Sequence, residues 1–157
     1  MAYMVFLSHS GKDGDWTKYI ASHASEIGVT AYLYEHDPQP GRSIAEKVKQ
    51  AIMRCDAVVV LLTRNGHAST YVQQEIGYAE AKNKLVIPLV EPGLEQKGLA
   101  LLEGREYIPF DFGDPAPGLS SLLSFLTGLK TKKDEIQALM AFVGLLIGVA
   151  WLGSKAS

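Results

Sequence analysis

Short, wholly apolar runs alternate along this chain with longer stretches whose apolar residues recur every three or four positions. These are the patterns of buried strands and of amphipathic helices. Tyr3 to Leu7 is the first such run, and it ends in the small, polar Ser8-His9-Ser10-Gly11-Lys12-Asp13-Gly14. A helix is predicted from about Asp15 to Ile27, carried by Trp16, Tyr19, Ile20, Ala24 and Ile27, with Gly28 as its stop. Thr30 to Tyr34 gives a second strand, followed by Glu35 to Arg42, a loop holding Pro38, Pro40 and Gly41. Ser43 and Glu46 fit a capping box that opens a helix with Ile44, Val48, Ala51, Ile52 and Cys55 on one face. Ala57 to Leu62 is an unbroken run of alanine, valine and leucine, the mark of a strand buried on both faces. Leu85 to Val90 is a fourth strand, in which Pro88 lacks a ladder donor and so belongs at a sheet margin or near the end of the pairing. Beyond it, Leu94 to Leu102 reads as a short helix and Tyr107 to Phe112 as a fifth strand interrupted by Pro109. Leu119, Leu122, Leu123, Leu126 and Leu129 mark a final amphipathic helix.

The stretch from Ser69 to Lys84 also reads as a helix, with Thr70 and Gln73 spaced as a capping box. Val72, Ile76 and Ala79 make its core-facing stripe, and Tyr71, Glu75 and Tyr78 a second stripe rotated by about 100°. Glu75 is thereby expected on the shoulder of the buried face, half out of water, as either a solvated flank residue or a reagent. Five alternations of strand and helix imply a parallel sheet covered on both faces. Ligands of such sheets bind beyond the carboxyl ends of the strands. Three loops should gather there, at 8–14, 35–42 and 63–70, and the last delivers the start of the Glu75 helix to the same rim.

Composition narrows the chemistry. Fifteen basic against seventeen acidic residues leave no basic field for nucleic acid, so no nucleic-acid partner is expected. The single cysteine, Cys55, excludes an internal disulfide and reads as a buried thiol. His9, His23, His36 and His67 have no metal-ligand spacing, so no metal site is expected. The first residues lack the basic and long apolar regions of a signal peptide. The other end differs: residues 136–154 are 19 positions without a formal charge. As a helix they would extend about 28 Å, near the ~30 Å of a bilayer's hydrocarbon. A helix packed on the domain or on a partner is the alternative, but apolar residues fill every face from Leu139 to Leu152. Lys130, Lys132 and Lys133 precede this segment and Lys155 follows it, which by the positive-inside rule leaves the main domain cytoplasmic. Gly144 and Gly148 form a G-x-x-x-G through which two such helices could approach. The boundary is drawn at Gly128 to Lys133, giving a domain at 1–130 and an apolar segment at 131–157 that is expected to cross a membrane.

V-F-L-S-H-S-G-K-D at the end of the first strand, P-G-R-S-I at the second helix and Y-V-Q-Q-E-I on the fourth unit together resemble a TIR domain. The resemblance covers about residues 1–129 and lies nearer to bacterial and archaeal members than to receptor adaptors. It implies a flavodoxin-like fold with a five-stranded parallel sheet, and an enzyme that cleaves NAD⁺ at the nicotinamide–ribose bond to ADP-ribose or a cyclised relative. It makes Glu75 the catalytic glutamate, with Tyr71 in the place of an aromatic residue one turn earlier, often tryptophan. It sets Ser8, His9 and Ser10 along the ribose and phosphates, with Lys12 in the same loop, and makes His36 to Arg42 the mobile segment over the substrate. Activation by self-association and a role in immune or antiphage signalling are implied as well. A non-catalytic TIR module that acts only by assembly is one rival reading; another flavodoxin-like module, such as a phosphate receiver, a flavin binder or a nucleoside transferase, is the second.

One carboxylate suffices for that chemistry. Ordinary glycosidases need a second to protonate the leaving group. Nicotinamide leaves NAD⁺ as a neutral molecule, so an ionised Glu75 need only stabilise the charge developing at the ribose. NAD⁺ is then a substrate, and no cofactor is expected.

Overall fold

The computed structural model describes residues 2–36, 38–65, 69–94 and 103–156, with the side chain of His36 excepted. Five parallel strands form one sheet: β1 (Tyr3–Ser8), β2 (Val29–Tyr32), β3 (Ala57–Leu62), β4 (Leu85–Val90) and β5 (Ile108–Pro109). Their order is β2-β1-β3-β4-β5. Register is set centrally by Val5 opposite Ala57 and by Ala57 opposite Leu85. Among the described residues, four α-helices connect and cover the strands: α1 (Gly14–Glu26), α2 (Ile44–Arg54), α3 (Thr70–Ala81) and α4 (Ala116–Ala156).

Alternation along the central strands divides the core in two. Val5, Leu7, Val59, Leu61 and Leu89 face one way, onto Ile20 and Ala24 of α1 and Leu119, Leu122 and Leu126 of α4. Phe6, Val58, Val60, Leu62 and Val90 face the other, onto Val48 and Ile52 of α2 and Val72, Ile76 and Ala79 of α3. All six residues of β3 are buried, as its apolar run requires. Cys55 is also buried, and burial is the main influence raising its thiol to about 11.

Several local expectations need correction. The α3 cap is Ser69 rather than Thr70, and it makes no side-chain capping bond. Its carbonyl instead accepts the first helical bond from Gln73 at 3.1 Å. At α2 the expected cap holds, Ser43 accepting from the Glu46 amide at 3.4 Å. The fifth strand shrinks to two residues. Val90 turns its carbonyl toward β5, accepting from the Phe110 amide at 2.9 Å. Pro88, two residues earlier, faces the same way, and β5 pairs only with Leu89 and Val90. The missing donor thus costs no ladder bond. Most of the short helix expected at 94–102 lies outside the described residues.

The largest difference is at the end of the chain. The amphipathic helix expected near 119–129 and the apolar tail are one 41-residue helix, α4. The residues Gly128 to Lys133 continue the helix without interruption, because leucine, lysine and threonine carry no stop and one glycine is tolerated. Packing on the domain ends near Lys133. From Ile136 to Leu152 the large apolar side chains are exposed, and α4 is long and apolar enough to cross a membrane.

Candidate active site

The strand order reverses between β1 and β3, since β1 leads to α1 on one face and β3 to α3 on the other. The crevice at that switch point lies beyond Ser8, the last residue of β1. The Ser8 hydroxyl donates to Glu75 Oε2 in a short hydrogen bond across 67 residues of sequence. Glu75 is 8% exposed, not half out of water as the helical wheel suggests. It joins Val72, Ile76 and Ala79 on the buried side of α3. Burial is the dominant influence on its carboxyl group, lifting it from 4.5 to about 7. The Ser8 hydrogen bond and His9 pull the other way, and Glu35 adds to the rise.

His9 is buried beside it. Its Nδ1 lies 3.0 Å from the Leu7 carbonyl and its Nε2 2.7 Å from Glu35 Oε1. Both partners are hydrogen-bond acceptors, so the ring is held at each nitrogen. The Tyr34 ring lies against His9 at 6.1 Å. Burial first, then Glu35, Glu75 and Tyr71, push the Tyr34 phenol above its ordinary 10.0. Lys47 donates to the Tyr34 carbonyl and so ties α2 to this turn. Ser10 is buried as well. Its hydroxyl and that of Thr63 both donate to Asp13 Oδ2, at 2.9 and 2.7 Å, which joins the β1–α1 and β3–α3 loops.

Glu75 opens on a cleft of about 320 Å³ between α2 and α3. Ile44, Ala45, Val48, Lys49 and Ile52 line one wall, and Tyr71, Gln74, Glu75 and Tyr78 the other, with Tyr34 at the end. Tyr71 is 72% exposed, so its ring is available to a ligand rather than spent on the core. Tyr78 lies between Lys49 and Lys82, whose ammonium groups are 5.7 and 5.8 Å from its ring. Such a cleft offers flat aromatic walls to a ring system and one carboxylate to a developing cation. A larger groove of about 550 Å³ follows β4 and β5, but it contains none of the Ser8–Glu75 cluster.

The structure therefore brings together Ser8, His9, Glu75 and Tyr71 of the residues expected from sequence. Ser10 serves the loop scaffold. Lys12 is exposed on the 3-10 turn at Gly11–Asp13, outside the residues lining the cleft. Arg42 is also outside them, its guanidinium donating to Gln39 and Gln50 at 2.7 and 2.9 Å. His36 closes a 3-10 turn, and its side chain lies outside the described residues. Sequence reasoning assigned no role to Glu35 as the partner of His9 or to Lys49 and Gln74 as cleft walls. Only Tyr78 had a signal, being on the Tyr71–Glu75 stripe. Among the described residues, no three His, Cys, Asp or Glu side chains converge as a metal site would require.

A doubly wound parallel sheet of order β2-β1-β3-β4-β5, with Glu75 buried beside its switch point, places the protein among flavodoxin-like folds. Residues 5–123 match the TIR domain family, to which this chain therefore belongs. A probable 2' cyclic ADP-D-ribose synthase, BdTIR of Brachypodium distachyon, is 24% identical over 69% of the chain. Toll-like receptor 1 of Homo sapiens is 27% identical over 59% of the chain. The aligned parts cover 51% and 13% of those two proteins. The TIR domains of the activated Roq1 resistosome superpose with a TM-score of 0.62 at 18% identity, over 80% of this chain and 99% of theirs. The CMP N-glycosidase BcmB of Clostridium botulinum does so at 0.59 and 20% identity, over 78% and 98%. At these identities the superpositions establish the fold.

Proposed function

We propose that this protein is an NAD⁺ nucleosidase with Glu75 as its catalytic carboxylate, held at a membrane by residues 131–157 and activated when its 1–130 domains associate. The observation that carries the reading is the buried Glu75, hydrogen-bonded by Ser8 and opening on a cleft walled by tyrosines. The relative named as a probable cyclic ADP-D-ribose synthase supports the same bond as the target. In this reading the C1′–nitrogen bond breaks and its electron pair goes to the nicotinamide ring, which leaves neutral. The oxocarbenium charge left on the ribose faces ionised Glu75, with the Ser8 hydroxyl holding the carboxylate in place. Water or a second hydroxyl of the same substrate then bonds to C1′ and gives up a proton. Tyr71 supplies a face for nicotinamide or a folded-back adenine. Confinement to a membrane plane raises the effective concentration of the domains, which favours association.

The test uses the full chain in vesicles with NAD⁺, and mass spectrometry to follow nicotinamide and the ribosyl product. Wild type is expected to release nicotinamide, Glu75→Gln to lose turnover by orders of magnitude, and Glu80→Gln to retain it. Glu80 is exposed and paired with Arg105 away from the cleft. Loss in Glu80→Gln with retention in Glu75→Gln would overturn the assignment. Absence of nicotinamide release from dispersed and clustered wild type alike would instead favour the assembly-only module.

A further inference from the structure

The path of α4 sets how the site is presented to a membrane. The helix begins at Ala116, following β5, and passes down the sheet on Leu119, Leu122 and Leu126. It leaves the domain at the opposite end. The Lys133 ammonium group pairs with Asp56 Oδ1 at 2.9 Å, donates to the Ala2 carbonyl at 3.2 Å and stands 5.8 Å from the Tyr3 ring. Lys130 reaches Gly28, where an added Cβ would lie 3.0 Å from its Nζ. Tyr3 opens β1, Gly28 precedes β2 and Asp56 precedes β3, so every one of these contacts marks the amino-terminal end of the sheet. Glu75 is at the carboxyl end, bonded to the last residue of β1.

β1 is a ruler between the two. Five residues separate Tyr3, beneath Lys133, from Ser8, beside Glu75, a rise of about 17 Å. Three further helical residues from Lys133 to Ile136 add about 5 Å before the uncharged segment starts. No proline follows Pro117, so nothing in the sequence breaks the helix between domain and tail. If residues 136–154 span a bilayer, the amino-terminal end of the sheet rests in the headgroups, which extend about 5–8 Å beyond the hydrocarbon. The face that would meet them carries Arg54, Lys82 and Lys84 where α2 and α3 end, together with Lys130, Lys132 and Lys133. Arg105, Glu26, Asp56, Glu80, Glu106, Asp134 and Glu135 are on the same side, Asp56 paired with Lys133 and Glu80 with Arg105, so the face is polar and of mixed charge, suited to the headgroup layer rather than to hydrocarbon.

We propose that the amino-terminal end of the sheet is a lipid-facing platform on which α4 holds the domain upright against the membrane, with the Glu75 cleft opening away from it. The proposal rests on the reading of residues 136–154 as a membrane span. The consequence is that substrate enters from bulk water and neighbouring domains meet through their sides.

The test uses full-length protein in vesicles of phosphatidylglycerol and phosphatidylcholine that contain a spin-labelled headgroup lipid. Fluorophores are attached at Lys82→Cys, on the platform, and in a second variant at Asn65→Cys, beyond the carboxyl end of β3; native Cys55 is buried. Flotation with the vesicles and several-fold stronger quenching at position 82 than at 65 are expected. Flotation with quenching at 65 equal to or above that at 82 would overturn the pose while leaving the span intact. Failure to float would overturn the span and the pose together.

Discussion

Replacing Glu75 with glutamine separates the charge of this side chain from its shape, and the two have opposite consequences. Burial lifts the carboxyl from 4.5 to about 7 in the folded protein, so the fold holds the proton more tightly than the unfolded chain does. The sign follows from proton linkage. The contribution to stability is fully present below about pH 4.5 and is lost as pH rises through about 7, where the folded protein must accommodate a buried charge. At ~1.4 kcal/mol for each tenfold change in proton affinity, the loss amounts to roughly 3 kcal/mol. Glutamine escapes it while still accepting the Ser8 hydroxyl. Glu75→Gln should therefore match wild type near pH 4.5 and melt higher above pH 7, by on the order of 10 °C for a domain of this size. Thermal unfolding of both full-length proteins in detergent micelles between pH 4.5 and 8 measures the difference. A gap independent of pH, or one that closes as pH rises, would refute the account of Glu75 as a carboxylate destabilised by burial. The same variant should be inactive, so a gain in stability would accompany the loss of turnover.

Wild-type turnover should rise with pH through about 7 as Glu75 ionises. His9→Gln, which removes a neighbour that lowers the Glu75 value, should move that limb toward higher pH; a pH–rate profile of each protein decides it. Tyr71→Ala should leave stability within about 0.5 kcal/mol, because the ring is 72% exposed. It should weaken NAD⁺ binding by up to about tenfold, the ~1.4 kcal/mol of a stacked ring, and change the product ratio; titration and mass spectrometry report both. Gly118→Ala should destabilise the domain by about 1–3 kcal/mol, since its Cβ would meet the Pro109 carbonyl oxygen at 2.7 Å and Phe110 Cδ2 at 2.9 Å. Gly128→Ala has open space, and should instead stabilise α4 by about 1 kcal/mol; melting temperatures compare the two.

Local period and composition determined much of this protein before any tertiary contact. The all-apolar β3, the stripe of α3, the Ser43 cap and the uncharged tail follow from which residues a strand or helix can bury and from where its amides find partners. The family resemblance likewise pointed to Glu75 and Tyr71. What the helical wheel supplies, however, is an azimuth and not a depth. It put Glu75 on a shoulder, whereas the strand order β2-β1-β3 brings the end of β1 across α3 and seals the carboxylate with Ser8. His9 and Glu35 meet for the same reason, each at the end of a strand that pairing places side by side, although 26 residues separate them in sequence. Arg42 and Lys12 have the right chemistry in the right loops, but the loop conformation leaves both outside the residues lining the cleft. At the other end, Gly128 to Lys133 resembles a linker in composition. Lys133 and Asp56, far apart in the chain, make it part of the rigid helix that carries the tail away from the site. Sequence fixes which side chains can be buried and which elements can form; only the pairing of distant segments decides which of those side chains share a site.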